Sequence, residues 1–262
     1  MSNYKPDMLS ELPRPTIFAH RGASAYAPEN TLAAFKLAVE QHADAIELDA
    51  KLTTDGQVIV IHDQTLKRTT GAEGRVVQMS LAALRELEAG SYFDPRFAGE
   101  KIPTLAEVFE TVGKQIFINV ELTNYASPND SLPEKVSELV QKFGLAQHVM
   151  YSSFNPQALR RAHRVLPELP LGLLASPGWS GAVARSFLGR LVPHQALHPE
   201  LGDTSPALVQ RAHRSGRRVH VYTVNRPEDM QRLFTLGVDG IFTDDPLLAL
   251  RIRSGETVGS QV

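Results

Sequence analysis

Short runs of β-branched and apolar residues alternate with amphipathic stretches from residue 16 onward. This alternation is typical of repeated βα units around a parallel sheet, so the sequence predicts an α/β fold. A chain of 262 residues has the usual length of one TIM-type (β/α)8 barrel, here a single domain over 1–262 with its barrel core at about 16–250. The predicted strands are 17–20, 45–51, 58–62, 116–122, 149–154, 171–175, 195–198, 218–224 and 240–243.

These nine strand candidates exceed by one the number that a (β/α)8 barrel needs. The link Thr53-Thr-Asp-Gly56 carries an Asp-Gly hairpin signal, which predicts that 46–53 and 57–62 pair antiparallel. That pairing would bring His62 beside Asp49. The stretch 63–103 is too long for an ordinary βα loop and predicts a small inserted subdomain, with one helix at 80–89.

Several helix starts are chemically well specified. Asn30 is predicted to cap the first barrel helix, which presents apolar residues on one face. The pairs Thr104 with Glu107 and Ser131 with Glu134 have the spacing of capping boxes. The dipeptides Asn155-Pro156 and Ser205-Pro206 each place proline at the first helical position.

Composition and charge exclude several classes of function. The net charge is −2 and the basic residues are scattered, so no surface for nucleic acid or for an anionic membrane is predicted. The chain has no cysteine, which excludes disulfides and thiolate chemistry and fits a cytoplasmic protein. Residues 1–15 lack a secretory apolar region, and no run of about 18 apolar residues predicts a membrane anchor. No sequence signal specifies an oligomeric state.

Three acids are placed for a metal site. Glu47 and Asp49 are two residues apart on a strand, so their side chains leave the same face about 6 to 7 Å apart. Glu121 shares a face with Asn119 on a later strand. Three carboxylates at strand ends suit one divalent cation, Mg²⁺ or Ca²⁺, with Mn²⁺ as a further option. The alternative is a salt bridge to a basic residue in the barrel, with Lys51 nearest.

Two histidines end predicted strands. His20 is followed by Arg21, and His62 closes an apolar run before Asp63, which could orient its ring. The carboxyl ends of barrel strands carry the reactive groups. Two histidines, a guanidinium that can fork onto phosphate oxygens and a cation together suit cleavage of a phosphodiester, in which one histidine activates the nucleophile and the other protonates the leaving alkoxide.

An ordered series of motifs between about residues 16 and 250 resembles the glycerophosphodiester phosphodiesterase family. The motifs that carry this resemblance are His20-Arg-Gly-Ala-Ser24, Ala27-Pro-Glu-Asn-Thr31, Ile46-Glu-Leu-Asp49, Thr54-Asp-Gly56, Ile61-His-Asp63, Arg68-Thr-Thr-Gly71, Ile102-Pro-Thr-Leu105, Asn119-Val-Glu-Leu122, Ser152-Ser-Phe154, Tyr222-Thr-Val-Asn225 and Gly237-Val-Asp-Gly-Ile-Phe-Thr-Asp244. The resemblance implies a TIM-type barrel with a subdomain inserted after His62. It also implies hydrolysis of a small-molecule glycerophosphodiester to sn-glycerol 3-phosphate and an alcohol.

The resemblance also implies roles for individual residues. His20 and His62 would be the acid/base pair, and Arg21 would contact the phosphate. The divalent cation would be bound by Glu47, Asp49 and Glu121.

Two positions depart from the family pattern. The family usually has lysine two residues after the third metal acid, where this chain has Thr123, and tryptophan where it has Tyr222. The missing lysine would weaken phosphate binding or indicate a different diester, unless Lys51 compensates. Phe154, Tyr222 and Trp179 are candidates for the wall of the substrate pocket, with ordinary core packing as the alternative.

Other functions remain open at this point. The same chemistry could act on lysophospholipids or on glycerophosphoinositol. The scaffold could also be a metal-dependent aldolase or isomerase for sugar phosphates, or a barrel that binds phosphodiesters without turnover. The paired histidines with Arg21 favour phosphodiester hydrolysis.

Overall fold

A closed ring of eight parallel strands forms the centre of the molecule, and helices between the strands complete a TIM barrel. The computed structural model describes residues 8–256. The strands are β1 (Thr16–Ala19), β2 (Ala45–Leu52), β3 (Val58–Val60), β4 (Phe117–Leu122), β5 (Val149–Ser153), β6 (Leu171–Ala175), β7 (Ala196–Pro199), β8 (Arg218–Val221) and β9 (Gly240–Thr243). Around the ring the order is β1, β9, β8, β7, β6, β5, β4, β2, and β1 pairs with β2 to close it.

The α-helices range from single turns to three turns, and the longer ones cover the outside of the ring. They are α1 (Met8–Glu11), α2 (Leu32–Glu40), α3 (Lys67–Thr70), α4 (Leu81–Arg85), α5 (Leu105–Val112), α6 (Leu132–Phe143), α7 (Pro156–Val165), α8 (Ala182–Arg185), α9 (Pro206–Arg214), α10 (Pro227–Leu236) and α11 (Pro246–Arg253). No helix within residues 8–256 is long and apolar enough to cross a bilayer.

The ninth strand, β3, lies outside the ring. It pairs antiparallel with the end of β2, where Ala50 faces Val60 and Leu52 faces Val58. The turn between them uses Gly56 at φ 72°, a conformation that glycine adopts without steric cost. The predicted hairpin is therefore confirmed. It brings the chain back beside the site, because the Ile61 amide donates to the Asp49 carbonyl over 2.9 Å.

Local helix signals were confirmed in part. Thr104 and Glu107 form a capping box, and proline opens α7 and α9 as predicted. Asn30 as the cap of α2 was wrong, because Thr31 is the N-cap and accepts from the Ala34 amide.

Two further helix predictions need correction. The capping box at Ser131 was wrong, because its side chain makes no capping bond and Glu134 instead binds Arg161. The helix expected at 80–89 is shorter, Leu81–Arg85, since the chain turns after Arg85 and the Ala89 amide donates to the Glu100 carbonyl.

The two ends of the barrel differ. Met8 and Leu9 of helix α1 and Leu12 directly after it pack against Phe18 and the amino ends of the strands, so apolar packing closes that end. The sequence predicts no secretory signal in the segment 1–15, of which residues 1–7 lie outside the described residues. The segment after β3 forms its own apolar cluster with Ile59 and Ile61, beside the opposite end of the ring. The carboxyl ends of the barrel strands stay open, and the candidate site lies there.

Candidate active site

One cavity of about 230 Å³ lies at the carboxyl end of the barrel, and eight of the side chains predicted from the sequence line it. They are His20, Arg21, Glu47, Asp49, His62, Glu121, Phe154 and Tyr222. Asn119, Ser152, Leu174, His198, Thr223 and Phe242 complete the lining. Strand ends bring these residues together, since the carboxyl ends of the parallel strands meet at one face.

The three predicted metal acids are neighbours because of the register between β2 and β4. Glu47 pairs with Asn119 and Asp49 pairs with Glu121, so the acids occupy adjacent strand positions. One carboxylate oxygen from each lies within 4.8 Å of the other two. Glu47 Oε1 is buried and has no hydrogen-bond partner, which leaves it available to a cation.

Burial and mutual repulsion dominate the electrostatics of these acids. Burial, with the charge of Asp49, raises the pKa of Glu121 to about 8, and burial together with Asp49 and Glu121 raises the pKa of Glu47. Burial also acts to raise the pKa of Asp49, but the charges of Arg21, His62 and Lys51 and a hydrogen bond from Asn30 together outweigh it, so the net shift is downward. A bound cation would relieve the repulsion, and carboxylate oxygens are the ligands that hard divalent cations prefer.

Asp49 is held by Arg21 and Asn30. Asn30 Nδ2 donates to Asp49 Oδ2 over 2.8 Å, and Arg21 Nε lies 3.5 Å from the same oxygen. Both Arg21 and Asn30 adopt positive φ, 58° and 57°, and the Asn30 amide donates to the Arg21 carbonyl. Gly22 is required in this turn, since a Cβ at its position would lie 2.7 Å from backbone and side-chain atoms of Ala34. The sequence did not predict that Asn30 serves the site.

His20 is oriented by an aspartate that the sequence analysis gave no role. Strand β9 lies beside β1 with Thr243 opposite Ala19, so the residues after each strand, His20 and Asp244, come together. His20 Nδ1 and Asp244 Oδ1 are 2.6 Å apart, and Asn225 Nδ2 donates to the other oxygen of Asp244 over 2.6 Å. Nε2 is the ring nitrogen left for chemistry.

His62 is oriented by Asp63, as expected from the adjacent positions. Their Nδ1 and Oδ1 atoms are 2.8 Å apart. Arg68, from the inserted segment, donates to both oxygens of Asp63 and to both oxygens of Glu29. Hydrogen bonds from Arg68 lower the pKa of Asp63 to about 2. Glu29 in turn accepts from Arg21 over 2.9 Å. One network of alternating charges therefore joins His62 to Arg21, the residue predicted to contact the phosphate.

Lys51 does not pair with the metal acids. Its Nζ donates to the His62 carbonyl and to Thr123 Oγ1, each over 2.7 Å, and the side chain is buried. Burial lowers the pKa of Lys51, while Asp49 and Glu121 act in the other direction. Lys51 therefore contacts Thr123, the residue at the position where the family usually has a lysine.

Aromatic rings form one side of the cavity. Phe154 and Tyr222 meet edge to face with centroids 5.9 Å apart, and the Tyr222 hydroxyl donates to the Ala175 carbonyl over 2.7 Å. Tyr125, which the sequence analysis did not single out, donates to Glu121 Oε1 over 2.7 Å. Trp179 is 95% exposed and does not line the cavity, so both interpretations offered for it were wrong.

Two buried histidines lie beneath the site and were not predicted. His198 lines the floor of the cavity, and its Nε2 lies 3.2 Å from Nδ1 of His220. The His198 ring fits only because residue 172 is glycine, since a Cβ there would approach the ring to 2.3 Å. Burial lowers the pKa of His198 to about 3 and lowers that of His220 as well.

Replacing His198 by glutamine is expected to reduce the loss of stability in acid. The folded protein keeps His198 neutral to about pH 3, whereas the unfolded chain protonates histidine below about pH 6.5. The unfolded state binds more protons than the folded state in this interval. The contribution of His198 therefore lowers the free energy of unfolding by about 1.4 kcal/mol for each unit by which the pH is lowered.

Urea unfolding of both proteins between about pH 6 and 4 measures this difference. A chelator in both samples keeps the contributions of Glu47 and Glu121 equal. Parallel curves of unfolding free energy against pH would show that His198 titrates normally in the folded protein.

Comparisons with known proteins agree with this geometry. The model of the glycerophosphoryl diester phosphodiesterase family matches residues 20–248. A glycerophosphodiester phosphodiesterase of Caldanaerobacter subterraneus subsp. tengcongensis is 42% identical over 231 residues, which cover 88% of this chain and 94% of that protein. One from Bacillus subtilis is 34% identical, covering 90% of this chain and 86% of that protein.

A solved structure is also similar throughout. An Oleispira antarctica phosphodiesterase in complex with the product sn-glycerol-3-phosphate superposes with a TM-score of 0.84 at 29% identity. The match covers 95% of this chain and all of that one.

Proposed function

The chain belongs to the glycerophosphoryl diester phosphodiesterase family and is an enzyme of that class. From this premise we propose that it hydrolyses glycerophosphodiesters to sn-glycerol 3-phosphate and an alcohol. In this proposal His20 and His62 are the catalytic acid and base, and the reaction depends on a divalent cation. The observation that carries the proposal is the geometry of one cavity. Three acids that can share a cation lie there with two histidines, each held through Nδ1 by an aspartate. The product named for the Oleispira antarctica structure supports the choice of substrate.

The two histidines divide the proton transfers. One Nε2 takes the proton of the attacking water as its oxygen bonds to phosphorus, and the other gives a proton to the alcohol oxygen as the bond between phosphorus and that oxygen breaks. Asp244 and Asp63 fix the two rings so that each presents Nε2. A positioned general acid or base of this kind contributes about 10²- to 10⁴-fold to a rate.

Arg21 is proposed to bind the phosphate. Its guanidinium donates to Glu29 and lies near Asp49, so it is held at the edge of the acid cluster. Planar, charged donors suit the oxygens of a phosphodiester and stabilise charge that grows on them. Phe154 and Tyr222 then provide an apolar wall for the substrate.

The cation is proposed to bind to Glu47, Asp49 and Glu121. The fit rests on their close oxygens and on the unpartnered Glu47 Oε1. When bound, Mg²⁺, Ca²⁺ or Mn²⁺ supplies charge that polarises phosphoryl and hydroxyl oxygens. The cytoplasmic location expected from the cysteine-free composition stays a prediction.

Release of sn-glycerol 3-phosphate from glycerophosphocholine tests the proposal. We expect turnover that EDTA abolishes and that one of Mg²⁺, Ca²⁺ or Mn²⁺ restores, because without a cation the buried acids repel each other and the anionic substrate. Full activity in EDTA would contradict the metal site. Binding of glycerophosphocholine without product, in the presence of each ion, would favour the non-catalytic barrel instead.

A further inference from the structure

The floor of the catalytic cavity carries polar groups that the proposed mechanism does not use. Asn119, Ser152 and His198 line the cavity, and each of these side chains is fully buried. Asn119 Oδ1 and His198 Nδ1 have no hydrogen-bond partner among the described residues. Because nearly all buried polar atoms in folded proteins are hydrogen-bonded, two unpartnered atoms in one cavity indicate that a bound molecule supplies the missing bonds.

The register of the strands joins these groups into one surface. Asn119 lies two residues before Glu121 on β4, so its side chain leaves the same face about 6 to 7 Å deeper in the barrel. On the next two strands Ser152 pairs with Gly172. The His198 ring fills the space beside Gly172, where a Cβ would approach the ring to 2.3 Å. The floor therefore runs from Asn119 past Ser152 to His198.

Asn119 and His198 are each oriented by a bond to a neighbour. Asn119 Nδ2 donates to Ser152 Oγ over 2.8 Å, which leaves Oδ1 as an acceptor for a ligand. His198 Nε2 lies 3.2 Å from Nδ1 of His220, so the contact between the two rings uses Nε2. A neutral imidazole has one N–H and one lone pair, so His198 Nδ1 keeps a donor or an acceptor whichever of the two rings donates.

The floor is uncharged. Burial lowers the pKa of His198 to about 3, so the ring is neutral near pH 7, and Asn119 and Ser152 carry no charge. A hydroxyl group suits such a surface, because it donates one hydrogen bond and accepts others. An anionic group would instead be attracted to Arg21, which follows the end of β1, and to the proposed cation.

We propose that the floor binds the terminal hydroxyl of the glycerol moiety, through His198 Nδ1 and Asn119 Oδ1, and thereby selects glycerol diesters from diesters of other alcohols. This inference rests on the proposed function and assigns specificity-determining residues to it. The phosphate is attached to C3 of glycerol, so when Arg21 binds the phosphate the hydroxyl on C1 is the one farthest from it. His220 is a positioning residue, because it holds the His198 ring through Nε2.

Two variants of His198 and two substrates test the proposal. His198→Gln places an amide near the position of Nε2 and leaves nothing at Nδ1, whereas the shorter side chain of His198→Asn places an amide near Nδ1. The substrates are glycerophosphocholine and 2-hydroxypropyl phosphocholine, which lacks only the C1 hydroxyl. We expect wild type to prefer glycerophosphocholine by about 10- to 100-fold in kcat/KM, because the shorter analogue leaves buried polar atoms unpaired. His198→Gln should lose most of this preference, and His198→Asn should keep most of it.

The preference is a ratio measured within one protein sample, so it does not depend on the fraction of the variant that folds. Asn119→Ala should also lose most of the preference, because it removes the acceptor at the other end of the floor. An equal loss of turnover of both substrates in His198→Gln would mean that the ring only fills space. Equal turnover of both substrates by wild type would mean that the floor binds no hydroxyl. Either result would overturn the proposal.

Binding of the products separates this inference from the proposed function. Calorimetric titration with sn-glycerol 3-phosphate and with 2-hydroxypropyl phosphate, at the same concentration of a divalent cation, compares the two ligands without turnover. If wild type fails to hydrolyse glycerophosphocholine, the proposed function fails. The ratio of the two dissociation constants, in wild type and in His198→Gln, then still decides whether the floor recognises the hydroxyl.

Discussion

Replacing His62 by asparagine is expected to lower kcat/KM for glycerophosphocholine by about 10³-fold, and replacing His20 by asparagine is expected to have a similar effect. Each change removes the ring nitrogen that faces the cavity, while the aspartate behind it keeps its other donors, Asn225 to Asp244 and Arg68 to Asp63. The substrate contacts of Arg21 and the acid cluster stay in place, so the loss should appear in kcat more than in KM.

Steady-state assays of glycerol 3-phosphate release measure both variants. His163→Asn, on α7 outside the residues that line the cavity, is the matched control and should retain wild-type activity. The double variant should lose less than the product of the single losses, because both histidines act in the same displacement. Either single variant within tenfold of wild type would contradict the acid/base assignment.

The sequence predicted the parts of the site that local periodicity determines. Glu47 and Asp49 share a face because strand residues alternate, and the Asp-Gly turn returned the chain to their strand. The helix and strand order predicted the barrel, which placed His20 and Glu121 at the same end.

The parts that the sequence did not reveal depend on closure of the ring and on backbone conformation. Asp244 meets His20 only because β9 closes the barrel against β1, although an aspartate directly after the last strand was a signal that could have been used. Asn30 had the composition of a helix cap, but its positive φ turns the side chain toward Asp49. Neither a long-range register nor a left-handed residue is encoded in periodicity.

Thr123→Lys, which restores the usual family residue, is expected to destabilise this protein. Thr123 Oγ1 accepts a hydrogen bond from the buried Lys51 Nζ and donates to the Ala50 carbonyl. A second ammonium at this position would displace that bond and place two like charges in a site with little water. Uncompensated buried charge of this kind costs about 3–5 kcal/mol, so the free energy of unfolding should fall by this order and activity should fall with it.

Lys51→Gln/Thr123→Lys is expected to recover most of the lost stability, because a glutamine amide can still donate to the His62 carbonyl while only one ammonium remains. Urea unfolding and kcat/KM for the wild type, both single variants and the double variant give the coupling between the two positions. Lys51→Gln alone removes one buried charge that burial already disfavours, and should therefore cost less than Thr123→Lys. Additive effects of the two changes would mean that Lys51 and Thr123 do not share this space. Strong coupling would mean that Lys51 on β2 supplies the ammonium that the family usually has at position 123. Lys51 also binds the backbone carbonyl of His62.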